Sequence, residues 1–183
     1  MSIAGFDRAK IIELLSELGR RLSAKGVAGR LYVVGGAAMA LEFDTRRATR
    51  DIDAIFHPQA TVAGEAASMA ADLGLPPGWL SDAAQAFVPL PDADPVSLDV
   101  EGLQIALSSP ANLLAMKMAA GRPQDITDLV VLFRLLKIKS PQQAVDMAKR
   151  IYGPDSVVLS EPRESLLLLA ESVLAKVRAS KDR

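Results

Sequence analysis

The chain contains no cysteine. It can form neither a disulfide nor a thiolate metal site, and this absence fits a cytosolic protein. Aromatic residues make up only 4% of the sequence, so the core must be built largely from aliphatic side chains, and the abundance of Ala and Leu points to a helix-rich protein. A single histidine, His57, excludes a zinc site made of several imidazoles. No apolar run is long enough to span a bilayer. The first residues lack the basic-then-apolar pattern of a secretory signal. A cytoplasmic protein with no membrane partner is expected. The net charge of −1 gives no global basic footprint for nucleic acid, which leaves only local patches, at Arg46, Arg47 and Arg50 and at Lys176, Arg178, Lys181 and Arg183.

What is present centres on Leu31 to Phe56. An apolar run, Leu31-Tyr32-Val33-Val34, reads as a buried strand. Gly35-Gly36 and a series of small residues follow, the pattern of a strand, a tight turn and the start of a helix running to Phe43. Glycine lets the backbone approach a ligand closely, and free N–H groups at a helix start can face a phosphate. A polar loop from Asp44 to Arg50, expected to be mobile until substrate binds, leads into a second strand, Asp51 to Phe56. Alternate residues of a strand share a face, so Asp51 and Asp53 point the same way while Ile52, Ala54 and Phe56 point to the core. Paired carboxylates repel unless a cation lies between them, and a hard cation such as Mg²⁺ prefers oxygen ligands. The spacing therefore suggests a site for a nucleoside triphosphate and metal. Arg46, Arg47 and Arg50 either balance the neighbouring aspartates or contact phosphates. His57 either approaches the metal or ends the strand before Pro58.

Helical periodicity places a helix from Phe6 to Lys25, with apolar residues at Ile11, Ile12, Leu14, Leu15, Leu18 and Leu22 and one face for a core. Another helix is expected from Ala60 to Leu73. Trp79 reads as core packing or as a platform for a nucleobase. Ala86 to Leu90 reads as a strand. Val96–Val100 and Leu103–Leu107 read as a hairpin turning at Glu101-Gly102. Asp99, in its first strand, is a candidate third carboxylate or a surface residue. After Ser108-Ser109-Pro110 the pattern is helical, with segments to Ala120, from about Asp125, from Pro141 to Tyr152, and from Glu161 to Val177. Lys117 stands among apolar residues, so it either snorkels to water or is held for a purpose, such as a fixed charge on a triphosphate. A lysine in that setting burdens stability, so Lys117→Met is expected to fold at least as well. Arg122, Asp125 and Asp128 follow, the two aspartates on one helix face.

Gly35-Gly36 with Arg47-x-Thr49-x-Asp51-Ile52-Asp53, and then Lys117…Arg122…Asp125…Asp128, resemble the signatures of the DNA polymerase β-type nucleotidyltransferase superfamily. The arginine and threonine narrow the resemblance to the branch of the AbiEii and MenT toxins and DUF6036-like nucleotidyltransferases. Trp79-Leu80-Ser81-Asp82-Ala83 resembles a further segment of that branch, with Ser81 in place of the commoner Asn. The element pattern reads as α+β. The resemblance implies a small mixed-sheet nucleotidyltransferase core over 1–108 and a C-terminal helical bundle over 109–183, packed on the core as one compact unit. It also implies metal-dependent transfer of a nucleoside monophosphate from an NTP, with Asp51 and Asp53 holding Mg²⁺ as a pair of ions. Gly35, Gly36, Arg47, Thr49, Lys117 and Arg122 would bind the nucleotide. Asp128 or Asp125 would orient the acceptor hydroxyl or take its proton. The implied biology is a toxin with a cognate antitoxin, the acceptor being the tRNA 3′ end, another small molecule or a protein hydroxyl. A catalytically inactive binding module of the same fold is the remaining alternative.

Overall fold

The computed structural model describes residues 5–44 and 47–180. Arg46, Lys181 and Arg183 lie outside the described residues. The protein is α+β, and its chain divides into two compact units, one formed by Met1–Ala86 and Asp94–Ser108, the other by Phe87–Ala93 and Ser109–Arg183.

In the first unit, α1 (Arg8–Ala24) buries Ile11, Leu14, Leu15, Leu18 and Leu22 of the expected stripe and leaves Ile12 half-buried. Asp7 caps it by accepting from the Lys10 amide at 2.8 Å. Then come β1 (Gly29–Val33), a helical turn α2 (Gly35–Ala38) that widens into a π-helical stretch over Met39–Phe43, and β2 (Ile52–His57). The chain continues through α3 (Gln59–Leu73), a two-residue β3 (Leu80–Ser81), and the hairpin β4 (Val96–Val100) and β5 (Leu103–Leu107). The strands form one mixed sheet in the order β3-β2-β1-β5-β4. Alternation then sorts the side chains. Leu31, Val33, Ile52, Ala54, Phe56, Leu103, Ile105 and Leu107 are buried on the face covered by α1 and α3. Arg30, Tyr32, Asp53, Ile55, His57, Gln104 and Ala106 share the other face, which forms an open trough of about 880 Å³ between Arg30 and Ser97.

The second unit is helical: α4 (Pro110–Ala120), α5 (Ile126–Leu135), α6 (Pro141–Tyr152) and α7 (Arg163–Ala179), with a 3₁₀ turn over Pro123–Asp125 leading into α5. Ser109 caps α4 and Ser140 caps α6 through their hydroxyls. Ala86 to Leu90 is not a strand. A 3₁₀ turn, Gln85–Phe87, gives way to irregular chain held by side chains of the second unit. Asn112 Nδ2 donates to the Pro89 carbonyl at 2.8 Å and the Tyr152 hydroxyl to the Phe87 carbonyl at 2.7 Å. The Ser109 amide donates to Asp92 Oδ2 at 2.7 Å. Pro89 and Pro91 lack the N–H groups a ladder needs. Among the described residues, no helix is long and apolar enough to cross a membrane.

Candidate active site

The centre of the first unit's site is the turn after β1. Gly35 has φ of +61°, a left-handed conformation that disfavours any side chain. A Cβ there would lie 3.4 Å from Asp53 Oδ2. A Cβ on Gly36 would meet Thr49 Oγ1 at 2.8 Å and Arg47 Nη2 at 3.5 Å. The two glycines thus let the backbone lie against Thr49, Arg47 and Asp53 at once. The Val34 amide donates to the Asp53 carbonyl at 2.9 Å and locks the end of β1 to the start of β2. The Ile52 amide donates to the Trp79 carbonyl at 2.7 Å. Asp53 is half-buried on the open face of the sheet, and Asp51 is exposed just ahead of β2. Gly35, Gly36, Arg47, Thr49 and Asp53 therefore come together, and they belong, with Asp51, to one unit. The Asp53 carboxylate at the glycine turn is an oxygen donor of the kind a hard divalent cation takes.

Other expected members fall elsewhere. Asp99 pairs with Gln104, which is level with Arg30 and in turn with His57. Three strand spacings, ~14 Å, separate β4 from β2, and Asp99 lies level with the far end of β2, so it cannot complete a triad with Asp51 and Asp53. The open-face positions of β5, Gln104 and Ala106, carry no carboxylate. Among the described residues there is no group of three or more His, Cys, Asp and Glu able to hold a metal. His57 is exposed at the strand end, four residues from Asp53. Trp79 is only 1% exposed, and its Nε1 donates to the Ala66 carbonyl at 2.9 Å. It is therefore a core residue and offers no face to a base.

In the second unit, Lys117, Arg122, Asp125 and Asp128 meet. Lys117 Nζ lies 2.7 Å from Asp125 Oδ1 and 2.6 Å from Asp128 Oδ2. All three residues are buried. Arg122 reaches Asp125 Oδ2 with its Nε at 2.7 Å. Burial alone would raise the Asp125 carboxyl, but the hydrogen bonds from Arg122 and Lys117 together outweigh it and hold the group below its usual range. Lys117 is thus no isolated charge in an apolar helix. It neutralises two buried carboxylates that come from the next turn and helix. The expectation that Lys117→Met would fold at least as well is therefore overturned, because removal would take from Asp125 and Asp128 the ammonium they share, leaving Asp125 to Arg122.

One contributor had no signal in the sequence. The Phe6 amide donates to the Thr49 carbonyl at 2.6 Å, and the Thr49 amide returns a bond to the Phe6 carbonyl at 2.9 Å. The Asp44–Arg50 loop is thereby anchored near its end. Nothing in the polar pattern of 44–50 or in the residues before α1 signals that pairing.

Comparison with known proteins was made against this geometry. The sequence profile of a family described as a nucleotidyltransferase of unknown function (DUF6036) matches residues 9–137. The crystal structure of an antigenic nucleotidyltransferase-like protein from Paracoccidioides brasiliensis superposes with a TM-score of 0.51 at 16% identity, over 98% of this chain and 94% of that one. At that identity the likeness concerns the fold alone. No functionally curated protein matches in sequence.

Proposed function

The chain belongs to the family of nucleotidyltransferases of unknown function DUF6036, and from that premise we propose that it transfers a nucleoside monophosphate from a nucleoside triphosphate to an acceptor hydroxyl. The observation that carries this reading is the packing of the Gly35-Gly36 turn against Thr49, Arg47 and Asp53. The turn supplies backbone next to a guanidinium and a hydroxyl, a combination suited to phosphate oxygens. Asp51 and Asp53 would hold Mg²⁺, which would neutralise phosphate charge when bound. The acceptor oxygen bonds to the α-phosphorus as the bond to the β-phosphate oxygen breaks, and pyrophosphate leaves. Catalysis of this kind is mostly positioning and charge neutralisation.

Lys117, expected from the resemblance to bind the outgoing phosphates, is buried between Asp125 and Asp128 in the second unit, and the proposal for the first unit's site stands without it. The two carboxylates around the ammonium support a positioning role for Asp125 and Asp128.

The resemblance to AbiEii and MenT toxins supports a toxin held by an antitoxin protein, with tRNA as acceptor. A second reading, a small-molecule or protein hydroxyl as acceptor, is favoured by charge. The trough on the open sheet face balances Arg30 against Asp99 and Glu101 instead of presenting a basic track. Incubation with Mg²⁺, each α-labelled ribonucleoside triphosphate and total RNA, or with protein alone, separates these. Label on tRNA supports the toxin reading, and label on protein supports the second. No label on RNA, protein or a panel of small hydroxylated acceptors would overturn nucleotidyl transfer.

A further inference from the structure

We infer that the short segment Gly5–Arg8, ahead of and opening α1, is a strap that positions the nucleotide pocket by holding two of its walls at once. The first wall is the loop carrying Arg47, Thr49 and Asp51. The reciprocal backbone bonds between Phe6 and Thr49, 2.6 and 2.9 Å, form an isolated antiparallel bridge outside the sheet. Gly5 lies so close that a Cβ on it would stand 3.1 Å from both the Ala48 Cβ and the Thr49 carbonyl oxygen. The Phe6 ring, 5% exposed, anchors the segment in the core.

The second wall is the helical stretch that starts at Gly35. Arg8 Nε donates to the Leu41 carbonyl at 2.9 Å. That carbonyl sits near the helix end, where acceptors lack a later intrahelical N–H. Phe6 and Arg8, two residues apart in one segment, thus hold the loop and the helical stretch that meet at the Gly-Gly turn. The close packing of Thr49 on Gly36, beside which phosphates would sit, is set by a segment that touches no substrate. Phe6 and Arg8 are therefore positioning residues. The bridge orders Thr49 whatever the pocket binds, while the consequence for nucleotide rests on the nucleotidyl-transfer reading.

Two readouts separate these layers: amide hydrogen exchange, and calorimetric binding of each of the four ribonucleoside triphosphates with Mg²⁺. Phe6→Pro removes the amide that donates to Thr49. Gly5→Val keeps the Phe6 ring but pushes the loop away. Both variants should speed exchange over 47–53 by about tenfold, with α4 to α7 unchanged. Both should weaken the tightest-binding triphosphate about tenfold, a loss of ~1.4 kcal/mol, and raise its KM with little change in kcat. Phe6→Leu, which keeps both backbone bonds, should restore slow exchange. If Phe6→Pro fails to fold, Gly5→Val decides alone. Exchange over 47–53 at the original rate, or an equal rise throughout the chain, overturns the strap. Fast local exchange in the variants of a chain that binds no triphosphate upholds the strap and removes the nucleotide reading.

Discussion

Lys117 shows what a single residue can and cannot reveal. Its apolar neighbours mark it as a charge kept for a reason, but its partners, Asp125 and Asp128, lie across a break at Gly121-Arg122-Pro123. Only the fold shows that the lysine answers two carboxylates. Lys117→Met should therefore lose about 3–5 kcal/mol of stability, the usual cost of orphaning a buried charge. Lys117→Met with Asp128→Asn should recover part of that loss, because the two positions are coupled. Urea unfolding of the two variants measures both effects, and a Lys117→Met chain as stable as the original would refute the triad. At the same scale, Trp79 was legible as core. Asp99 was not decidable, because strand order rather than local sequence puts it three strands from Asp53.

Among the elements, those with local signals were readable. The Glu101-Gly102 hairpin, the Ser-Pro helix starts and the strand–Gly-Gly–helix turn each carry their geometry in adjacent residues. The π-helical stretch after Gly35-Gly36 and the two-residue β3 carry none, and the apolar run Ala86 to Leu90 belongs, from Phe87 on, to the second unit. Pairing between elements is equally hidden. Glu17 of α1 accepts from Arg20 and Arg21, and Arg21 reaches Asp72 of α3 at 2.6 Å. Lys25 pairs with the buried Glu65 of α3. The hydrogen bonds from Arg20 and then Arg21 pull the Glu17 carboxyl from its ordinary 4.5 down to about 2. A carboxyl depressed on folding contributes stability above its unfolded value and loses it as pH falls through the folded one. The contribution should be full at pH 7 and disappear between about pH 4.5 and 2. Because Glu17 is partly exposed, the effect should be small and weakened by salt. Denaturant unfolding across that range should show a shallower acid decline for Glu17→Gln, and an unchanged slope would contradict the assignment.

For the whole molecule, the α+β class was legible in the order of strands and helices, the mixed sheet was expected only from the resemblance, and the superposed structure agrees with the fold. The proposed function rests on one small region of the first unit, where the Gly35-Gly36 turn meets Asp53 and Thr49. The most direct test is Mg²⁺-dependent transfer from α-labelled triphosphate by Asp51→Ala and Asp53→Ala, each shown by its melting curve to be folded. We predict that the original chain transfers label, that both variants lose transfer, and that Mg²⁺ with nucleotide raises the melting temperature of the original chain more than that of either variant. Turnover retained by either folded variant would contradict the proposed site.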